Sequence, residues 1–144
     1  MHPYPHHYAV RATGGAAGEV ALDAGGLPTL ASAPPVEFDG PGDRWSPETM
    51  LVGAVADCFL LTFRAVARAA RFDWLSLECS VDGTLDRVEG AARFTHMLVT
   101  ATLRVAREAD RERAVKLLEK AEHGCLISRS LLAERTLRPT VVVG

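Results

Sequence analysis

Cysteine is scarce in this chain: three residues among 144, an odd number. Secreted disulfide scaffolds pair their cysteines densely, so this count argues against one. No CxxC pair and no HxxxH pair accompanies any of them, which argues against a zinc site. Charge of one sign is lacking as well. The net charge of −2 gives no electrostatic reason to expect nucleic acid or an anionic membrane as a partner. No stretch approaches the ~20 uncharged apolar residues of a membrane span. The N-terminus has neither the basic start nor the long apolar core of a signal peptide. These absences together read as a cytoplasmic protein whose thiols rest reduced.

What is present fits a folded globule: 48% hydrophobic and 24% charged residues. The length suits a single domain over 1–144, with residues 1–7 as a frayed arm. His2, His6 and His7 stand in that arm, but its prolines prevent a regular i, i+4 pairing, so no metal site is expected. From Tyr8 to about Leu30, short runs alternate with glycine turns at Thr13-Gly14-Gly15, Gly18 and Gly25-Gly26, which predicts short strands. Ser46-Pro47-Glu48 predicts a helix start: a capping hydroxyl, a proline at the first position, and a carboxylate at the positive end of the dipole. The helix is expected to reach about Arg71. Its first half is apolar nearly all round and its second half amphipathic.

Two alternating segments follow, around Leu75 to Asp82 and His96 to Val105, and predict an antiparallel sheet with one covered face. Cys79 falls on the apolar side of the first and reads as core; His96 falls on the polar side of the second. Asp110 is placed as the cap of a helix with Ala114, Leu117, Leu118 and Ala121 as its buried stripe, and Gly124 as its stop. A short helix over about 126–133 and a final strand around 137–143 complete an α+β plan, with Pro139 suggesting that this strand lies at an edge or starts late.

Cys58 sits within the apolar run Met50 to Leu61, and Cys125 follows Gly124 at a helix start. Such a pair is either a redox couple or two unrelated core residues. The joint order of Ser46-Pro47-Glu48, Ala56-Asp57-Cys58-Phe59 and Gly124-Cys125-Leu126-Ile127-Ser128, with the Thr13-Gly14-Gly15 turn, resembles the OsmC/Ohr family of osmotically induced and organic-hydroperoxide-resistance proteins. The resemblance implies an OsmC-like fold built on an antiparallel sheet and a long central helix. It also implies an intertwined homodimer and a thiol peroxidase without metal, haem or other cofactor. By resemblance, Cys58 is the peroxidatic thiol and Cys125 the resolving thiol. Glu48 matches the carboxylate that positions the family's active-site arginine. The substrate would be an alkyl or lipid hydroperoxide, and the reductant a small dithiol or cellular thiol. In the hydroperoxide-resistance branch an arginine follows the Thr-Gly-Gly turn; here Ala16 stands there. Arg44, then Arg11, then Arg129 are the replacements considered, Arg44 first because it lies four residues before Glu48.

Burial disfavours a thiolate, so a peroxidatic thiol in apolar surroundings needs a cation nearby. Cys125, at a helix start, is the more acidic thiol on local grounds. Some of Phe38, Trp45, Phe59, Phe63 and Leu126 are expected to line an apolar substrate pocket, the aromatics among them reading equally as plain core. A rival reading is a catalytically weak protein that binds a hydrophobic ligand at the dimer cleft. Helix geometry supports a shared site independently. Glu48 and Cys58, ten residues apart on one helix, differ by about 15 Å of rise and roughly 80° around the axis. Glu48 therefore cannot serve the Cys58 of its own chain. Two such helices crossing near Gly53 and Ala54 would exchange these groups.

Overall fold

The computed structural model describes residues 1–144, which form two compact units, Met1–Met50 and Leu51–Gly144. In the first, β1 (Arg11–Thr13), β2 (Val20–Asp23) and β3 (Leu30–Ser32) make an antiparallel meander. Ala12 pairs with Leu22 and Val20 with Ser32, so these four side chains share one face of the sheet. Arg11, Ala21, Asp23 and Ala31 share the other. The backbone then crosses a single 3₁₀ turn, Val36–Phe38. Trp45 pairs with Ser32 as an isolated parallel bridge, and its carbonyl accepts the Ala33 N–H at 2.9 Å.

Helix α1 (Pro47–Ala69) begins as its sequence predicts. The Thr49 N–H donates to Ser46 Oγ at 3.1 Å and the Ser46 N–H donates to Thr49 Oγ1 at 2.9 Å. This reciprocal cap satisfies two donors at once, with threonine in the place usually held by glutamate or glutamine. The helix stops two residues before the expected Arg71. Arg71 is left-handed (φ 49°), and the Phe72 N–H reaches back to the Ala67 carbonyl at 2.9 Å. That is the closing bond of a Schellman turn, made here without glycine.

By length and mean hydropathy (1.8 over its most apolar window) α1 is apolar enough to cross a membrane, contrary to the sequence expectation. Its charges Asp57 and Arg64 interrupt that apolar surface, and Val55, Phe59, Phe63 and Ala67 form a buried stripe at every fourth residue. Each large side chain so buried contributes about 1.5–3 kcal/mol.

In the second unit, β4 (Ser76–Val88), β5 (Ala91–Val105) and β6 (Glu134–Val143) form one sheet in the order β4-β5-β6. The β4–β5 hairpin is much longer than the alternation predicts. Its outer arm is exposed on both faces and therefore carries no apolar period. Glu89 (φ 51°) and Gly90 (φ 82°) close it as a two-residue turn with both centres left-handed. The expected antiparallel order holds for β4–β5 only, because β6 runs parallel to β5. The crossover that a parallel pair requires is supplied by α2 (Arg111–Gly124) and the single turn α3 (Leu126–Arg129). Of the two alternatives that Pro139 left open the edge holds: it lies within β6, an edge strand that already begins at Glu134.

Two details of α2 differ from expectation. Asp110 makes no side-chain cap; its carboxylate is engaged by Arg107 through two 2.9 Å bonds, and a 3₁₀ turn (Glu108–Asp110) leads into the helix. Gly124 is not a left-handed stop, and it packs closely on α1. A side chain there would meet Thr62 Cγ2 of α1 at 3.3 Å.

Candidate functional site

The core of the second unit joins the α1 stripe, the inward residues of β5 and the buried stripe of α2, and Cys58, Cys79 and Cys125 all border it. Cys125 is buried, 1% exposed, at the junction of α2 and α3. Its Sγ lies 3.9 Å from the Val55 carbonyl of α1, and the Ser128 hydroxyl donates to it at 3.2 Å. Cys58, one turn beyond Val55, is half-buried, with its Sγ 3.9 Å from Thr62 Oγ1. The Cys125 thiol is held above the ordinary thiol range, first by burial and further by the neighbouring Cys58. The Ser128 hydroxyl and amide pull it back down. The two cysteines far apart in sequence are thus neighbours in space: Cys125 lies against the turn of α1 that leads to Cys58. All three cysteines are free thiols.

Ser128 is the functional candidate that sequence reasoning missed. Its signal was its position, three residues after Cys125, which places it one helical turn away. The expected 126–133 helix is only the turn 126–129, so a helix dipole contributes little and a specific donor does the work. Replacing Ser128 with Ala is expected to slow alkylation of Cys125 near neutral pH roughly tenfold, because a hydrogen bond to a charged group contributes about 1.5–3 kcal/mol and the amide bond remains. Ser128→Thr should restore the rate. Mass-spectrometric alkylation profiles against pH would check both.

Cys79, on β4 opposite Ala101, is a half-buried neighbour of this pair. Burial, with a smaller contribution from the charge of Cys125, pushes its pKa up to about 11. A folded-state pKa raised above the unfolded value means that its stabilisation is complete below the ordinary thiol range and is lost as pH rises through about 11. Cys79→Val is therefore expected to flatten the alkaline fall in thermal midpoint across that window, as followed by circular dichroism.

The remaining candidates separate. In the first unit, Phe38 and Glu48 line one cleft with Ala12, Val20, Leu22 and Ser32, on one face of the meander. Glu48 Oε2 is buried there without a hydrogen-bond partner. Arg44 does not pair with Glu48 as expected. It binds Glu19 at 3.0 Å and Asp43 at 3.4 Å, both acids holding its guanidinium firmly charged. With the half-exposed Trp45 it lines a second cleft beside Ala31, on the other face of the meander. Four residues of sequence separation straddle the helix start here, so the i, i+4 rule does not apply. Phe59 and Phe63, candidates for the pocket, are fully buried core, Phe63 edge-on to Trp74 at 5.3 Å. Leu126 is 63% exposed on α3. Arg129 is exposed on the same turn, its N–H bonded to the Cys125 carbonyl at 3.1 Å. No group of three histidine, cysteine or acidic side chains is placed to hold a metal ion.

With this geometry fixed, the comparisons decide the family. The OsmC-like protein family matches residues 40–138, a stretch that contains both Cys58 and Cys125. The chain belongs to the OsmC-like family. Among curated proteins it is similar to the uncharacterized YmaD of Bacillus subtilis, 29% identical over 113 residues that cover 76% of this chain and 75% of YmaD. An OsmC-like protein of unknown function from Vibrio cholerae superposes with a TM-score of 0.83 at 15% identity, covering 94% of this chain and 99% of that one. An organic hydroperoxide resistance protein from Elizabethkingia anophelis gives 0.78 at 19%, covering 98% and 99%. The hydroperoxide resistance protein OhrB of Bacillus subtilis gives 0.69 at 20%, covering 95% and 98%. At these identities the likenesses show the fold, an α+β OsmC-like one.

Proposed function

We propose that this OsmC-like protein is a thiol-dependent peroxidase that reduces organic hydroperoxides to alcohols in defence against oxidative stress. The observation that carries the reading is the packing of Cys125 against the Val55 carbonyl, one turn before Cys58 on α1, with a hydroxyl donor on the Cys125 sulfur. The Cys58 thiolate attacks the terminal peroxide oxygen, the O–O bond breaks, and the alkoxide takes a proton and leaves as alcohol. Cys58 is then a sulfenic acid. The Cys125 thiolate attacks that sulfur, hydroxide leaves and is protonated to water, and a disulfide forms. A small dithiol or cellular thiol returns both sulfurs to thiols by exchange. Ser128 supports the second step by favouring the Cys125 thiolate.

Glu48 enters this site by its place in the motif. Arg44 is not carried forward, since its bonds go to Glu19 and Asp43. Arg129, on the turn after Cys125, is the cation this reading assigns. Both compact units are taken as one OsmC-like domain over 1–144, working as a cytoplasmic homodimer without cofactor, nucleic acid or membrane.

A second reading is favoured by two features. Ala16 replaces the branch's arginine, and Glu48 Oε2 has no partner, as in a protein that binds a hydrophobic ligand without chemistry. Steady-state consumption of cumene hydroperoxide with dihydrolipoamide separates the two. Turnover that saturates with peroxide supports the peroxidase, and a rate equal to the protein-free blank supports the binder.

A further inference from the structure

Helix α1 holds two hydroxyl side chains, Thr49 and Thr62. Thr49 belongs to the reciprocal cap with Ser46. Thr62 has no such duty and stands between Leu61 and Phe63, inside a helix that threonine does little to favour. Its side chain nevertheless has two definite neighbours. Cγ2 packs on Gly124 of α2, where it would lie 3.3 Å from an added Cβ. Oγ1 faces the Cys58 sulfur at 3.9 Å, one turn back along the same helix. A β-branched side chain is stiff at χ1, so seating the methyl on Gly124 also aims the hydroxyl.

Each cysteine of the candidate couple thus has a hydroxyl one turn downstream: Ser128 for Cys125 at 3.2 Å, and Thr62 for Cys58. The Thr62 contact is long for a neutral thiol. Hydrogen bonds to an ionised acceptor are shorter and stronger, and catalytic ones are often loose before reaction. Thr62 is half-buried, which strengthens a bond made to a charge. All of these atoms belong to one chain, so the contact needs no second copy to complete it.

We infer that Thr62 is a positioning residue for the hydroperoxide reaction: its methyl group is braced on Gly124, and its hydroxyl donates to Cys58 when that sulfur ionises. It acts on the peroxide only through Cys58. The hydroxyl keeps its proton throughout, and no bond forms or breaks at Thr62. The inference deepens the peroxidase reading and rests on it for the use made of the Cys58 thiolate.

The test is the pH profile of Cys58 alkylation by iodoacetamide in the reduced full-length protein, without peroxide, read peptide by peptide by mass spectrometry. Thr62→Val keeps the methyl and the shape and removes the hydroxyl. Loss of the bond should lower the Cys58 thiolate fraction about tenfold near neutral pH. A more basic thiolate is the better nucleophile, which returns about threefold, so alkylation should slow about threefold overall. At alkaline pH, with the sulfur ionised in both proteins, the same variant should react about threefold faster than the parent. Disturbed packing would instead change the rate in one direction at every pH. Thr62→Ser keeps the hydroxyl and should follow the parent profile without a crossover. A Thr62→Val profile that matches the parent, a uniform change without a crossover, or a Thr62→Ser profile that crosses as Thr62→Val does would overturn the inference. Hydroperoxide turnover is measured separately: a parent that consumes no cumene hydroperoxide would refute the peroxidase reading and leave the bond from Thr62 to Cys58 standing.

Discussion

Cys58→Ser is expected to abolish hydroperoxide turnover, a loss of roughly ten-thousand-fold or more, as befits removal of a nucleophile. The fold should survive, because Cys58 is only half-buried and its nearest polar contact, Thr62 Oγ1 at 3.9 Å, is long and weak. Cys125→Ser should behave differently. It should still form the Cys58 sulfenic acid on the first turnover and then stall, leaving a product that dimedone traps. Cys79→Ser should turn over nearly as wild type, since its thiol is held protonated by burial at working pH. Loss of turnover in the Cys79 variant alone, with circular dichroism unchanged, would show that the wrong thiols have been paired.

Gly53→Leu is expected to weaken self-association and peroxidase activity together. Helix α1 is unbroken from Pro47 to Ala69, yet only 22% of its most apolar window is buried within one chain. Leu61 is 50% exposed, and the residues between Leu51 and Ala54 are only partly covered. A long apolar surface of this kind is covered by a partner in a stable protein, and a two-fold related copy supplies the same surface in reverse. A bulky side chain at Gly53 would hold two such helices apart, and sedimentation equilibrium should show dissociation at concentrations where the parent is dimeric. A monomer that still consumes hydroperoxide at the parent rate would defeat the shared-site arrangement.

The features legible in the sequence were those fixed by local chemistry. Ser46-Pro47-Glu48 announced α1 because a cap is decided within four residues. The α2 stripe of Ala114, Leu117, Leu118 and Ala121 was legible because one face of that helix is buried along its length. The outer β4–β5 arm was not, since both its faces meet water and only the Glu89-Gly90 turn marked it. The parallel direction of β6 is set by a crossover, which no alternation within the strand encodes. In the candidate site, Cys58 and Cys125 could be nominated by motif, but their approach depends on how α1 packs on the α2–α3 junction. Arg44 was misread because proximity in sequence to Glu48 hid the fact that the two side chains line opposite faces of the meander. For Phe59 and Phe63 the sequence leaves pocket and core open, because a stripe of aromatics looks the same from sequence whether it lines a cleft or fills a core; the structure makes them core.

The central claim is that Cys58 and Cys125 form one redox couple, and a free-thiol count reaches it most directly. Fully reduced protein has three free thiols per chain. After one equivalent of cumene hydroperoxide, one should remain, and peptide mapping should find Cys58 linked to Cys125 with Cys79 free. Three thiols remaining with the peroxide unconsumed, or a link that includes Cys79, would contradict it.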